Sequence, residues 1–432
     1  MTGVQTCALP ISRFRVSGEL RVPGDKSISH RALIFSALAS GVSRVRGILP
    51  SADVHSTAGV LRALGVRVPD LGETMEIHGV GPAGLHTPAG DVDCGNSGTS
   101  ARLLAGVVAG AGITARFVGD ASLSGRPMRR VQRPLEAMGA RLELAANGSL
   151  PMTVHGGPLT QVEWNNDTSS AQVKSCVLLA ALCGGVEATV REPSRSRDHT
   201  ERMLAAHGVE VWVNAGAVLL FGGQSLTPLD IDVPGDPSSA AFFAALAALA
   251  PNGELLLRRV CVNETRTGFL AALTEMGASV ELENKVLQSG EWTADVRVIA
   301  GGVLRGVTIG RDAVPTLIDE LPLLACLAAY AEGETRVNGA EELRVKESDR
   351  ISAVVSNLQA LGADAEELPD GFVITGSRPR LRGTVVTHGD HRLAMAFGIL
   401  AALPGNEIAI DDRDCVAVSY PRFWDDLHAV TT

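Results

Sequence analysis

One pattern recurs six times along the chain: an apolar, helix-like run that closes in a glycine turn and passes into a strand. The copies are IFSALASGVSRV, AGVVAGAGITARF, LLAALCGGVEATV, FAALAALAPNGELLL, CLAAYAEGETRV and ILAALPGNEIAI. Their turn glycines, Gly41, Gly112, Gly185, Gly253, Gly333 and Gly405, stand 71, 73, 68, 80 and 72 residues apart, so six units of about 72 residues account for all 432. A fixed period of this size signals one supersecondary unit used repeatedly. A second landmark alternates with the first, at LRALGVRV, LEAMGARLEL, MLAAHGVEVWV, LTEMGASVEL and LQALGADAEEL. There a helix ends, a glycine caps it, and an alternating strand follows. A sixth such helix begins at RFWDDLHAV. Each unit reads as strand–helix–strand–helix–strand–strand.

The first helix of each unit, as in FFAALAALA and LLACLAAYA, is apolar on every face and must be buried all round. The second is amphipathic, as in ESDRISAVVSNLQALG, where Ser348 reads as a cap and Asp349 as part of the first turn. Apolar helices inside and sheets outside give an α/β fold of inside-out barrel type. It has two domains and six βαβαββ-type repeats, three per domain. A chain of 432 residues also exceeds what one core usually holds. Repeats 1–3 are assigned to a domain of residues 25–232 and repeats 4–6 to one of 233–432, with a cleft between them. The boundary is read at DVPGDPSS, where Pro and Gly meet. Residues 13–24 group discontinuously with 233–432, a C-terminal strand pairing with the N-terminal one. Residues 1–12, MTGVQTCALPIS, read as a non-native scar.

A formal net charge of −10 argues against a nucleic-acid surface. Seven cysteines are scattered singly, with no C-x-x-C pair, so neither a disulfide framework nor a zinc site is expected. A reducing cytoplasm fits. No apolar run reaches the roughly 18 residues of a membrane span. Metallopeptidase, nucleophile-elbow and dinucleotide motifs are missing, and no metal or cofactor is expected.

Chemistry concentrates just before the apolar helices, in GDKSISHR, CGNSGTSAR, TSSAQVKS, GDPSSAA, LIDELP and GDHRLAM. Ser, Thr, Asp and Asn are good caps, and capping alone accounts for GDPSSAA. It does not account for Lys26, Arg31, Arg102, Gln172, His391 and Arg392. Cations at a helix N-terminus oppose its dipole by about 0.3–1 kcal/mol each, so an anion is expected there to reverse the sign. A nucleotide loop is excluded, because Asp25 separates Gly24 from Lys26. Three further clusters, GRPMRR, SRSRDHTER and LRVKESDRIS, fit solvated charged faces as well as sites. In the last, Lys346 beside Glu347 reads as an acid–base pair. Asp319 and Glu320 interrupt the apolar PTLIDELPLL; Asp319 is a cap or a base, and the residues leave both open.

Taken together, VPGDKSISHRALIFSALA, GNSGTSARLLAG, GDASLSGRPMRRV, SSAQVKSCVLLAAL, RDHTERML, LIDELPLLA, EELRVKESDRI and GDHRLAMAFGI resemble the EPSP synthase family, 3-phosphoshikimate 1-carboxyvinyltransferases, in that family's order. The resemblance implies an enolpyruvyl transferase-like fold. It implies transfer of the enolpyruvyl group of phosphoenolpyruvate to the 5-hydroxyl of shikimate 3-phosphate through a tetrahedral intermediate that eliminates phosphate. No cofactor is implied. By position, Lys26, Ser27, Arg31, Ser170, Ala171, Gln172, Arg197, Asp319 and Lys346 correspond to shikimate 3-phosphate contacts. Lys26, Asn96, Gly98, Arg126, Gln172, Arg350, His391 and Arg392 correspond to phosphoenolpyruvate contacts. Asp319 would take the hydroxyl proton; Glu347, with Lys26, would serve the enol methylene. Ala171 stands where many members have Ser, Leu103 where a proline is frequent, and Val418 where many have Lys. Gly98 is the glycine that glyphosate-tolerant members replace with Ala, so a glyphosate target is expected. The sister transferase acting on UDP-N-acetylglucosamine, which starts with Lys-Asn rather than Lys26-Ser27, and a non-catalytic anion-binding protein of the same fold are the alternatives. The expected partners are small anions, with no nucleic acid and no membrane, and the expected state is a cytoplasmic monomer.

Overall fold

The computed structural model describes residues 14–214 and 216–432; the expected scar at 1–12 lies outside them. The chain forms two compact units. The N-terminal unit comprises Pro23–Pro234 and Leu287–Trp292; the C-terminal unit comprises the described residues up to Val22, Gly235–Val286 and Thr293–Thr432. The short return at 287–292 is the tip of the hairpin Ser279–Gln288 and Glu291–Ile299, a detail the sequence reading lacked.

Each unit is built on three apolar helices. In the N-terminal unit they are α1 (Lys26–Leu38), α2 (Gly98–Gly110) and α3 (Ala171–Gly184). In the C-terminal unit they are α4 (Pro237–Leu249), α5 (Leu321–Ala328) and α6 (His391–Ala402). Every residue from Ile28 to Leu38 is buried, and so is every residue from Val173 to Leu182. Helices apolar all round therefore lie inside, as their pattern requires.

Among the described residues six small sheets cover these helices, and their topology shows the repeat. In the second sheet the order is Val92–Asp93, Thr114–Val118, Met152–His155, Arg141–Leu144, the first pairing parallel and the others antiparallel. The third and fifth sheets repeat it. In the first and fourth sheets the parallel edge comes from a distant part of the chain. Ile231–Asp232 joins Ser40–Arg46, and Val16–Leu20 joins Gly253–Cys261. Thr431 bridges Val16 from the C-terminus. All eleven landmark glycines have positive φ, from +66° at Gly185 to +138° at Gly41, the region that disfavours side chains.

The helices approach closely where side chains vanish. A Cβ at Gly106 of α2 would lie 2.2 Å from the Cys176 carbonyl oxygen of α3, and one at Gly110 would lie 2.3 Å from that of Ala180. α5 starts late for a different reason. Pro322 sits in its first turn, and a short helix, Val314–Leu317, and a tight turn, Ile318–Glu320, precede it. The break falls at Leu317, whose backbone (φ −141°, ψ 16°) leaves the helical region, so the turn after it stays distinct and carries Asp319; Pro322 fits the first turn because the N–H it lacks would be unbonded there anyway. Among the described residues no helix is long and apolar enough to cross a membrane.

Candidate functional site

In the N-terminal unit the starts of α1, α2 and α3 carry the expected polar residues. Asp25 caps α1 by accepting from Ile28 N at 2.8 Å, and Ser97 caps α2 by accepting from Ser100 N at 3.1 Å. Ser170 stands at the cap position of α3 without a side-chain cap bond; its carbonyl accepts from Asn166 Nδ2 at 2.9 Å. The long side chains at these starts reach other partners. Lys26 Nζ lies 3.1 Å from Asp53 Oδ2.

Arg31 is 3% exposed. It donates from Nε to Thr200 Oγ1 at 2.8 Å, from Nη2 to Ser175 Oγ at 2.9 Å and from Nη1 to the Ser27 carbonyl at 2.9 Å. All three partners are neutral oxygens, so they orient the cation without cancelling it. Burial draws its pKa down to about 10, against the pull of Glu201, Asp25 and Glu291; Arg197 adds to the lowering. Ser175 donates its one proton to the Ala171 carbonyl at 2.7 Å, so Thr200 is the donor in the 2.6 Å contact between the two hydroxyls.

A second group lies at the starts of α2 and α3. Gln172 accepts from Arg102 Nη1 at 2.6 Å and donates to Thr99 Oγ1 at 3.0 Å. Arg126 donates to Asn96 Oδ1 at 2.6 Å, and Asn96 donates to Asp120 at 2.7 Å. A Cβ at Gly98 would stand 2.6 Å from Arg102 Nη1 and 3.7 Å from Arg126 Nη1, so the glycine keeps backbone open beside two guanidinium groups.

The C-terminal unit gathers Asp319, Lys346, Glu347, Arg350, His391 and Arg392. Arg350, 1% exposed, donates to Asp390 Oδ2 at 2.8 Å, Glu347 Oε2 at 2.6 Å and Asp319 Oδ1 at 3.3 Å. Burial disfavours its charge, but Asp390, Glu347 and Asp319 outweigh burial and raise its pKa above the usual range. Burial likewise lifts the Asp390 carboxyl, yet Arg350 wins and holds it below the ordinary value. Asp319 also meets Lys346 Nζ at 3.5 Å and Arg392 Nη2 at 3.8 Å. Arg392 further reaches the Asp319 carbonyl at 3.2 Å and Glu320 Oε1 at 3.5 Å. His391 is the first residue of α6 and is buried.

Local readings are resolved or changed at four places. Asp319 does not cap α5, which has no side-chain cap bond; it collects cations instead. Asp349, not Ser348, caps the helix Arg350–Leu361, accepting from Ser352 N at 3.1 Å, while Ser348 donates to Asp390 at 3.0 Å. Lys346 and Glu347 adjoin in sequence but turn to different partners, Asp319 and Arg350. The start of α4 is also more than a cap. Asp236 accepts from Ser238 N at 2.8 Å, and Arg266 donates to Asp236 at 3.2 Å and Ser238 Oγ at 3.0 Å.

Sequence reading gave no role to Asp53, Ser175, Thr200 or Asp390. The signal for Asp390 was present, since the Gly-Asp pair before α6 repeats that before α1. The hydroxyl pair under Arg31 had no signal, because Ser175 and Thr200 meet only in the folded chain. Val418 is half-buried at the end of the turn Asp414–Val418, and Leu103 is buried within α2.

Comparison with known proteins gives one consistent result. Residues 12–427 match the family described as EPSP synthase (3-phosphoshikimate 1-carboxyvinyltransferase). A 3-phosphoshikimate 1-carboxyvinyltransferase of Sulfurihydrogenibium sp. (strain YO3AOP1) is 46% identical over 422 residues, covering 96% of this chain and 98% of the relative. One from Xanthomonas campestris pv. campestris (strain B100) is 48% identical over 410 residues, covering 94% and 93%. Among solved structures, an EPSP synthase from Acinetobacter baumannii is similar with a TM-score of 0.85 and 40% identity, covering 96% of both chains.

Proposed function

Since this chain belongs to the EPSP synthase family, we propose that it transfers the enolpyruvyl group of phosphoenolpyruvate to the 5-hydroxyl of shikimate 3-phosphate, releasing phosphate on the shikimate route to chorismate and aromatic amino acids. The observation that carries the reading is the convergence of Lys346, Arg350 and Arg392 on Asp319, in a chain matched to the family almost throughout. The relatives described above carry the shikimate name, which does not favour the UDP-N-acetylglucosamine alternative.

Arg31, with Ser27, Ser170, Gln172 and Arg197, holds shikimate 3-phosphate. The neutral partners of Arg31 support this, because its charge is left for a ligand. Arg126 and Asn96 with Gly98, and Arg350, His391 and Arg392, address phosphoenolpyruvate. The charge of Arg350 is already shared among three carboxylates, so its ligand must compete with Glu347 and Asp319. Asp319 accepts from cations as a carboxylate does, the form a general base needs. It takes the proton of the attacking hydroxyl, while Glu347 and Lys26 exchange the proton at the enol methylene. Loss of phosphate from the tetrahedral adduct then regenerates the double bond.

The test is phosphate release from phosphoenolpyruvate, with and without shikimate 3-phosphate, in wild type and Lys26→Ala. Release only with both substrates, and its loss in the variant, supports the reading; release without shikimate 3-phosphate overturns it. Glyphosate sensitivity follows from Gly98, and an inhibition curve flat to millimolar glyphosate would refute that part. The working state is taken as a cytoplasmic monomer, which light scattering of the purified protein checks.

A further inference from the structure

Lys174 lies in α3 with its side chain 1% exposed, a place where lysine is normally excluded unless paired. Its ammonium sits 2.9 Å from Glu192 Oε2 and 2.8 Å from Glu201 Oε1, each carboxylate side chain 4% exposed. Glu192 also accepts from Ser196 Oγ at 2.8 Å and from Asn166 Nδ2 at 2.7 Å. The cluster therefore ties α3 to the segment 192–198 and to the helix His199–Ala206. Burial alone would lower the lysine pKa, but Glu201 and Glu192 reverse the sign.

The neighbours in sequence give this cluster its meaning. Ser175 follows Lys174, and Thr200 precedes Glu201. Those two hydroxyls touch at 2.6 Å and both accept from Arg31. The two helices are thus joined by an ionic rung, Lys174–Glu201, and beside it a hydroxyl rung that carries the arginine. We propose that Lys174, Glu192 and Glu201 are positioning residues: they hold Ser175 and Thr200 in register, and so aim Arg31 at the phosphate of shikimate 3-phosphate. This rests on the reading of Arg31 as a phosphate contact. Stability does not call for the charges, because apolar replacement of a buried ion cluster is often neutral or stabilising. A guanidinium held only by neutral oxygens, by contrast, takes its direction from where those oxygens stand.

The experiment measures shikimate 3-phosphate binding by calorimetry, and KM for both substrates, in Glu201→Gln, Lys174→Met, Lys174→Arg and Arg31→Lys, each checked for cooperative thermal unfolding. Glu201→Gln keeps the shape and removes the charge. It should weaken shikimate 3-phosphate about tenfold, the loss of one charged hydrogen bond's orientation, while the phosphoenolpyruvate KM moves less than about twofold. Lys174→Met should weaken it at least as much, and Lys174→Arg should recover part. Should Lys174→Met fail to fold, Glu201→Gln decides. Unchanged affinity in folded Glu201→Gln, beside weakened affinity in Arg31→Lys, overturns the positioning role and leaves the assignment of Arg31 standing. Unchanged affinity in Arg31→Lys sinks both. A loss spread equally over the two substrates marks a merely structural cluster and also overturns the proposal.

Discussion

His30 sits in the second position before Ala32 on α1, wholly buried, with Nδ1 2.7 Å from Thr57 Oγ1. Burial lowers its pKa from 6.5 to about 3, although Asp53 pulls the other way. Between those values the unfolded chain binds a proton that the folded chain refuses. Stability is therefore complete above about pH 6.5 and is lost as pH falls towards about 3. At about 1.4 kcal/mol per pH unit, wild type should lose about 2 kcal/mol more than His30→Gln between about pH 6.5 and 4.5. Urea unfolding at the two pH values checks this, and parallel losses in both proteins would contradict it. Gly98 makes a different residue-scale prediction. The atom its Cβ would strike, Arg102 Nη1 at 2.6 Å, is the far end of a flexible side chain. Gly98→Ala should cost less than about 1 kcal/mol of stability. Displacing Arg102 from Gln172 should nevertheless raise the phosphoenolpyruvate KM roughly five- to tenfold. Steady-state kinetics beside a thermal melt separate the two effects.

Among elements, the contact of α2 with α3 is the most exacting, because carbonyl oxygens fill the space beside Gly106 and Gly110. A backbone cannot swing aside as an arginine can. Gly106→Ala should destabilise by about 1–3 kcal/mol or more through overpacking. Gly59 is the control. It lies exposed within the helix Ala52–Ala63, and a Cβ there meets nothing within 4 Å. Gly59→Ala should stabilise by about 1 kcal/mol through helix propensity alone. Chemical denaturation of both variants tests the contrast; equal signs would refute the packing argument. The same elements show what sequence reveals. The buried helices were legible because apolarity on every face admits one environment, and the glycine turns because positive φ selects the residue. The cap at Asp349 was misplaced by one residue, since Ser348 and Asp349 are both good caps and only the partner Asp390 distinguishes them. Arg266 escaped notice because it reaches α4 from a separate stretch of chain.

At the scale of the molecule, periodicity gave six units, but pairing between distant strands is not periodic. Ile231 pairs with Val45, and Val16 pairs with Gly253, so each unit's first sheet takes its parallel edge from a remote segment. The functional residues divide similarly: those at helix starts stood out against the dipole rule, whereas the carboxylates and hydroxyls that orient them depended on contacts no local pattern encodes. The remote edges should make the two units separable in stability. Phe14, Val16, Leu20 and Val22 are 4%, 0%, 8% and 3% exposed. Burying such side chains contributes roughly 1.5–3 kcal/mol each, an upper figure given a compact unfolded chain. Val16→Ser removes one of them and places a hydroxyl against the sheet. It should speed amide hydrogen exchange in Gly253–Cys261 while leaving Ser40–Arg46 protected as before. Ile231→Ser should do the reverse, because Ile231 is 0% exposed beside Val45 in the other unit. If either substitution accelerates exchange in both strands alike, the units unfold as one cooperative body, and the separation drawn from their strand pairing is wrong.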